Sequence, residues 1–150
     1  MDLILWRHAD AEEGGADLER RLSAKGRRQA KRAAAWLRKR LREDANVLVS
    51  PARRAIETAD ALTDHYRIVP QLGTGACASA ILAAAGWPRG EGTVVVVGHQ
   101  PTLGRAAALV LTGTEAEWKI KKGAVWWFRR GVEEGSVEVA LRAVMSPEFL

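Results

Sequence analysis

Short apolar runs recur along the chain and predict buried β-strands. The first run, Leu3–Trp6, has four consecutive apolar residues, which are too few for a core helix. Asn46–Val49 has the same character. Thr93–Val97 is the most hydrophobic run, and its β-branched residues between glycines are typical of a central parallel strand.

A histidine follows two of these runs directly. Arg7 and His8 end the first run, and Gly98 and His99 end the third. In open α/β sheets, ligand sites gather at the carboxyl ends of the parallel strands. Two strands that each deliver a histidine at the same end therefore predict one shared pocket.

Helical spacing and capping residues predict helices between the strands. Ser23 is the predicted N-cap of the first helix, in which small apolar residues recur at helical spacing as far as Leu41. Ser50 is the predicted N-cap of a second helix, roughly Ala52 to Thr63, with Pro51 at its first helical position. Two further helices are predicted over Ala78–Ala85 and from Pro101 or Thr102 to about Leu111.

Beyond Gly113 the pattern changes to alternation of apolar and polar residues, which predicts strands over 118–121, 124–128 and 137–141. The last two form a predicted hairpin with a turn at Gly135 and Ser136. In a regular strand Trp126 and Trp127 point to opposite faces, so at least one of them is expected to pack in the core.

Length and composition limit the possibilities. A chain of 150 residues predicts one domain over 1–150. The single Cys77 cannot form an internal disulfide, which favours a reducing compartment, and no leader or apolar run of about 20 residues is evident, so we expect a cytoplasmic protein. The net charge of +5 is compatible with nucleic acid and with many other acidic partners.

Two features of the chain are assigned to the protein surface. A basic stripe on the first helix is either a solvated helix surface, which we favour, or a docking face for an acidic partner; it consists of Arg27, Lys31, Arg38 and Arg42. His65, which follows an aspartate in a loop, is predicted to lie at the surface.

The segment 73–78 resembles the glycine fingerprint of dinucleotide-binding folds. Pro70 interrupts the preceding strand, however, and no acidic residue ends a strand about 20 positions later to bind a ribose. We therefore predict a loop that leads into a helix, with Cys77 as a small, packed residue and not a nucleophile.

Three kinds of chemistry compete for a pocket that holds two histidines and arginines. A metal centre needs three or more ligands, and three histidines and one cysteine without ligand spacing support it poorly. A serine nucleophile needs a strained elbow, and His99 stands where that serine would be. In phosphoryl transfer, arginines bind the phosphoryl oxygens, one histidine attacks phosphorus and the other neutralises charge.

The motifs together resemble the histidine phosphatase superfamily, which includes the phosphoglycerate mutases. The resemblance is carried by Arg7-His8, by the segment 50–59 with sequence SPARRAIETA, and by Gly98-His99 after a valine-rich strand. The short length and the segments 22–26 and 99–103 are most similar to the small SixA-type phosphohistidine phosphatases.

The resemblance implies a role for each matching position. His8 would be the nucleophile that accepts the phosphoryl group, and Arg7 and Arg54 would bind its oxygens. His99 would be protonated and would donate to the same oxygens, whereas Arg53 has no assigned role. Ala9 stands where the superfamily usually has glycine, and we expect that change to be tolerated.

The fold implied by the resemblance is an α/β three-layer sandwich. Its mixed sheet has a parallel core, antiparallel edge strands and helices on both faces. The implied reaction is a two-step hydrolysis through a phosphohistidine on His8, with no metal and no cofactor. The resemblance also implies that phosphate or other oxyanions bind in the pocket.

The implied substrate is a phosphohistidine on a protein partner, such as a phosphotransfer domain or a phosphotransferase-system component, and we expect neither nucleic acid nor a membrane as partner. Two alternatives remain open: a broad-specificity small-molecule phosphomonoesterase, and a non-catalytic module that binds phosphohistidine. Many relatives protonate the leaving group with a carboxyl between the second and third motifs. Residues 70–72 carry none, which leaves Asp10 and Asp17 as candidate acids.

Overall fold

The computed structural model describes residues 1–150, which form one six-stranded sheet and four helices. The strands are β1 (Asp2–Arg7), β2 (Asn46–Val49), β3 (Arg67–Ile68), β4 (Thr93–Gly98), β5 (Val125–Glu133) and β6 (Ser136–Met145). The helices are α1 (Ala24–Arg38), α2 (Arg53–Asp60), α3 (Ala78–Ala84) and α4 (Thr102–Thr112). Short 3₁₀ turns cover Asp17–Glu19, Pro70–Leu72 and Pro147–Phe149.

The strands lie in the order β3-β2-β4-β1-β5-β6. The first four are parallel to one another, whereas β5 is antiparallel to β1 and to β6. The predicted mixed sheet with a parallel core is therefore confirmed, and the antiparallel strands lie at one edge. The predicted C-terminal hairpin is also present, with its turn at Glu134 and Gly135.

Helices cover both faces of the sheet, because successive strand residues alternate between two apolar layers. Leu3 and Leu5 pack in the core beneath α3 and α4, whereas Ile4 and Trp6 pack in the core beneath α1 and α2. The predicted three-layer α/β sandwich is thus confirmed. Trp126 and Trp127 join opposite layers, as their positions in one strand predicted.

Helix α1 begins where its cap was predicted and is docked closely against the loop that follows β1. The Ser23 hydroxyl accepts a hydrogen bond from the Gly26 N–H at 3.0 Å. A side chain at position 26 would overlap the Asp10 carbonyl, so only glycine allows this approach. The helix ends at Arg38, and the predicted extension to Leu41 is wrong.

The predicted start of α2 is also wrong. Its N-cap position is Ala52, and the helix runs only from Arg53 to Asp60 instead of reaching Thr63. Ser50 is completely buried, and its side chain contacts His99, outside the helix.

The alternating segment 118–121 is a loop and not the predicted strand. Apolar and polar residues alternate in this segment because Ile120 is completely buried and the neighbouring lysines are exposed. The segment pairs with no other strand. Gln100 donates to the Trp118 carbonyl at 2.9 Å, which fixes the loop against the start of α4.

Cys77 is exposed, so its predicted packing is wrong as well.

The basic stripe of α1 lies at the exposed surface, in agreement with its interpretation as a solvated face. Arg38 donates to the carbonyls of Ala61 and Leu62, and Arg42 pairs with Asp44. His65 is exposed, as predicted.

No helix combines the length and the apolar character that a membrane-spanning segment requires.

Candidate active site

The two histidines lie side by side at the carboxyl edge of the sheet. Parallel pairing sets Arg7, the last residue of β1, opposite Gly98 at the end of β4. The His8 N–H then donates to the Gly98 carbonyl at 3.0 Å, and the centroids of the His8 and His99 rings are 5.1 Å apart. The pairing of β1 with β4 thus places both rings in one pocket.

The hydrogen bonds of His8 fix which ring nitrogen carries the proton. Nδ1 lies 2.8 Å from the Ala9 carbonyl oxygen, which can only accept, so Nδ1 is the protonated nitrogen. The guanidinium of Arg54 can only donate, and its Nε–H points to His8 Nε2 at 3.3 Å. His8 Nε2 therefore carries an unshared electron pair, as a nucleophile requires.

Burial keeps the His8 ring neutral. Loss of solvent, together with the positive charges of a protonated His99, Arg54 and Arg7, lowers the pKa of His8 from 6.5 to about 3, against the opposing effect of the Ala9 carbonyl. At neutral pH the electron pair on Nε2 is therefore available.

Ala9 is accommodated without strain. Its backbone has no positive φ, so the position does not require glycine. Its side chain is completely buried, and its N–H donates to Thr58 Oγ1 at 3.0 Å. This hydrogen bond ties the residue after His8 to α2.

His99 is held by Ser50, whose role was not predicted. His99 Nε2 lies 2.7 Å from Ser50 Oγ, and Ser50 Oγ also accepts from the Ala52 N–H at 3.2 Å. Burial, with a contribution from Arg54, lowers the pKa of His99 from 6.5 to about 4. His99 Nδ1 is buried without a hydrogen-bond partner.

The neighbouring arginines at the start of α2 face in different directions. Arg54 is buried and donates to His8, to the Asp17 carbonyl at 2.7 Å and to the Asp17 carboxylate at 3.3 Å. Arg53 is exposed and pairs with Glu57 at 3.3 Å. The structure thus brings Arg54 to the pocket and leaves Arg53 outside it, as the sequence comparison predicted.

Arg7 reaches the pocket from the end of β1. Its Nη1 donates to the Ile120 carbonyl at 2.9 Å, and its buried Nε has no acceptor. The loop before β5 therefore orients the Arg7 guanidinium through this hydrogen bond.

A cavity of about 610 Å³ opens above these residues. Ala11 is the single hydrophobic residue among the 13 that line it. Four cationic side chains and two carboxylates give its walls a positive excess. The lining residues are Arg7, His8, Ala11, Glu13, Gly14, Gly15, Asp17, Arg20, Arg54, Thr74, His99, Gln100 and Lys122.

The sequence analysis missed several of these cavity residues. Arg20 and Lys122 add positive charge from two loops, and Thr74 comes from the glycine-bearing segment before α3. Each lies in a segment whose local pattern predicts only a loop, so no periodicity or motif could have identified it.

The two candidate acids are both held as carboxylates. Hydrogen bonds from Lys122 and Ser23 hold the pKa of Asp10 below its usual range. Burial alone would raise the pKa of Asp17, but the charge of Arg54 and hydrogen bonds from Arg20 and Arg54 outweigh it and lower that pKa. Neither carboxyl is therefore suited to store a proton at neutral pH.

A second cavity of about 580 Å³ shares the loop 12–21 but contains no histidine. We place the site in the first cavity, because the two neutral imidazoles and the buried guanidinium of Arg54 converge there. Histidine, cysteine, aspartate and glutamate side chains form no group of three or more that could hold a metal ion.

Comparison with known proteins shows what this chain is similar to. The model of the histidine phosphatase superfamily, branch 1, matches residues 3–73. The structure of the protein histidine phosphatase SixA complexed with tungstate superposes with a TM-score of 0.81 at 25% identity, over 99% of each chain. A protein assigned as the phosphohistidine phosphatase SixA of Nakamurella multipartitia gives a TM-score of 0.78 at 25% identity, over 97% of this chain and 95% of that one. The predicted resemblance to this superfamily is thereby confirmed.

Two other proteins are also similar to this chain. An uncharacterized protein of Picosynechococcus is 29% identical over 100% of this chain and 99% of its own length. A phosphoserine phosphatase of Entamoeba histolytica, as an H9A mutant with phosphoserine, has a TM-score of 0.72 at 16% identity, over 99% of this chain and 98% of that one. This last likeness concerns the fold alone.

The lowered histidine pKa values predict a loss of stability in mild acid. Below pH 6.5 the unfolded chain binds protons that the folded chain, with pKa values of about 3 and about 4, does not bind. The free energy of unfolding should therefore fall as pH falls from 6.5 to 5, by about 2 kcal/mol for each histidine. Urea denaturation over this pH range measures the effect.

His8→Gln and His99→Gln should each remove a large part of this pH dependence. His65→Gln is the matched control, because the His65 ring is exposed and pairs with Asp64, outside the cavity. An unchanged pH dependence in the His8→Gln/His99→Gln double variant would show that the buried rings are not the cause.

Proposed function

We propose that this chain, which carries the histidine phosphatase fold, is a phosphohistidine phosphatase that acts on proteins through a covalent phosphohistidine at His8. The observation that carries the proposal is the fixed tautomer of His8. Its Nδ1–H is bound to the Ala9 carbonyl, and its Nε2 electron pair accepts from Arg54 at the wall of a cationic cavity.

In the first step, the substrate phosphoryl group binds against Arg7 and Arg54. Nε2 of His8 forms a bond to phosphorus, and the bond from phosphorus to the leaving nitrogen breaks with its electron pair. A proton already present on the far nitrogen of the substrate ring lets that imidazole depart neutral. The Ala9 carbonyl stabilises the positive charge that forms on the phosphorylated His8 ring.

In the second step, water attacks phosphorus and the electron pair returns to His8 Nε2, which releases inorganic phosphate. A bound dianion favours protonation of His99, whose unpartnered Nδ1 can then donate a hydrogen bond. The arginines and His99 thus supply the positive charge that stabilises the transferring group, and we propose that the reaction needs no metal.

The character of the cavity favours a protein-borne phosphoryl group over a small organic substrate. Small-molecule sites are mostly apolar, with a few polar groups that fix orientation. This cavity has one apolar lining residue and a positive excess, which suit a phosphoryl group on an acidic protein surface. Phosphotransfer domains and phosphotransferase-system components are such partners. We also propose that the reaction takes place in the cytoplasm, where Cys77 stays reduced.

The second candidate function is a small-molecule phosphomonoesterase, because the same fold occurs in a phosphoserine phosphatase and is therefore compatible with a small substrate. Both functions use the same pocket and differ in the leaving group. An alkoxide needs a proton when it departs, whereas phosphohistidine does not. The ionised states of Asp10 and Asp17 favour the phosphohistidine substrate.

Brief exposure to a labelled phosphohistidine protein, followed by quenching in alkali, should leave the label on His8. His8→Ala should lose both label and phosphate release, and His65→Ala should keep both, because His65 lies outside the cavity. Label on another residue would contradict the covalent role of His8. Binding of the phosphohistidine protein without label and without phosphate release would identify a binding module.

Arg54→Ala and Arg7→Ala should each lower kcat/KM, with a loss of transition-state stabilisation of about 2 to 4 kcal/mol. This is the usual effect of losing a donor that is aligned with developing charge. Arg53→Ala is the matched control, because its side chain points away from the cavity and pairs with Glu57. Steady-state kinetics measures each effect, and circular dichroism checks the fold. A larger loss in Arg53→Ala than in Arg54→Ala would contradict the assignment.

Phosphoramidate substrates should be hydrolysed faster than alkyl phosphates, by on the order of 10² in kcat/KM or more, because general acid catalysis contributes about 10² to 10⁴ in rate. Competition between a phosphoramidate, an aryl phosphate and an alkyl phosphate measures the preference. Comparable rates on all three would instead favour the phosphomonoesterase. Glu13→Gln would then test whether the remaining cavity carboxyl is the acid.

A further inference from the structure

The two edges of the sheet differ greatly in length. The β3 edge strand has only two residues, whereas β6 at the opposite edge has ten. The outer side of β6 has no neighbouring strand. A long edge strand presents unpaired backbone N–H and C=O groups, which readily pair with another strand.

The distal half of the β5–β6 hairpin also projects beyond the other strands, because β1 pairs with β5 only as far as Arg129. An apolar stripe runs along one face of this projecting part. Val132 lies directly opposite Val137, and Val139 and Leu141 follow Val137 at alternate positions. Their exposed fractions are 67%, 63%, 37% and 42% for Val132, Val137, Val139 and Leu141.

Strand β6 has one bulge but otherwise lacks the features that usually protect an exposed edge. It contains neither proline nor lysine, and Glu138 and Arg142 are its only charged residues. The one irregularity of the hairpin, a register shift between Trp127 and Phe128, makes Arg142 an extra residue. The segment from Ser136 to Leu141 therefore remains regular and free to pair.

The order of residues in β6 is self-complementary about Ala140. In an antiparallel pair of two β6 strands with a two-fold axis at Ala140, Glu138 lies opposite Arg142 of the second copy, and Val139 lies opposite Leu141 of the second copy. Both contacts occur twice by symmetry. Arg142 donates from Nη1 to Asp2 at 3.1 Å and lies over the Trp127 ring, 5.1 Å from its centroid, and no other hydrogen bond engages its remaining N–H groups.

We propose that two copies of this chain pair through β6, antiparallel about Ala140, so that their sheets join into one sheet of twelve strands. The opposite charges at positions 138 and 142 select a second copy as the partner. The stripes of the two copies then adjoin, which removes part of their apolar surface from water. This interface lies away from the histidine cavity and does not depend on the proposed reaction.

Sedimentation equilibrium should show a species of twice the 16.4 kDa chain mass, in a fraction that grows with concentration. Glu138→Arg places two arginines opposite each other and should weaken dimerisation by about tenfold or more. Glu133→Arg makes the same charge change on β5, away from the free edge, and should leave the dimer intact. Circular dichroism checks that each variant is folded.

A disulfide tests the register. In a Cys77→Ser background, Ala140→Cys should form a cross-linked dimer on mild oxidation, because the two residues face each other across the axis. Val139→Cys should cross-link much less, because it faces Leu141 of the second copy. A monomer at every concentration would overturn the proposal. So would a dimer that Glu138→Arg does not weaken, or one in which Val139→Cys cross-links better than Ala140→Cys.

Discussion

The site depends on the parallel pairing of β1 with β4. That pairing sets Arg7 against Gly98, so the two histidines leave the sheet next to each other. The pairing is fixed because both strands are buried on both faces: residues 3–6 and 95–97 are completely inaccessible to solvent. A shift of one residue would turn each side chain of β1 toward the opposite helical layer, and the core would exclude that arrangement.

The same burial determines the electrostatic state of the pocket. Two imidazoles that are removed from water and surrounded by guanidinium groups stay neutral, which leaves His8 able to attack an electrophile. The positive charge of Arg7 and Arg54 is then available to an anionic ligand. Arg54 connects these functions, because it donates to His8 and to Asp17 at once.

The loops around the site are held by close backbone contacts with the helices. Gly26 of α1 admits the backbone of Asp10, and Gly104 of α4 admits the carbonyl of Trp118. The first contact positions the loop that carries Asp17 and Arg20, and the second positions the loop whose Ile120 carbonyl orients Arg7. Two glycines far apart in sequence thus determine the walls of one cavity.

The sequence by itself determined the strands that carry the histidines, the three-layer fold, and the set of Arg7, His8, Arg54 and His99. The strands follow from local hydrophobic runs, whereas the fold and the four residues follow from the resemblance of contiguous motifs to the histidine phosphatase superfamily. Only the tertiary structure decided that Ser50 contacts His99 instead of capping α2, that segment 118–121 is a loop, and that Arg20 and Lys122 line the cavity. Each of these depends on contacts and burial between residues distant in sequence, which local periodicity does not encode.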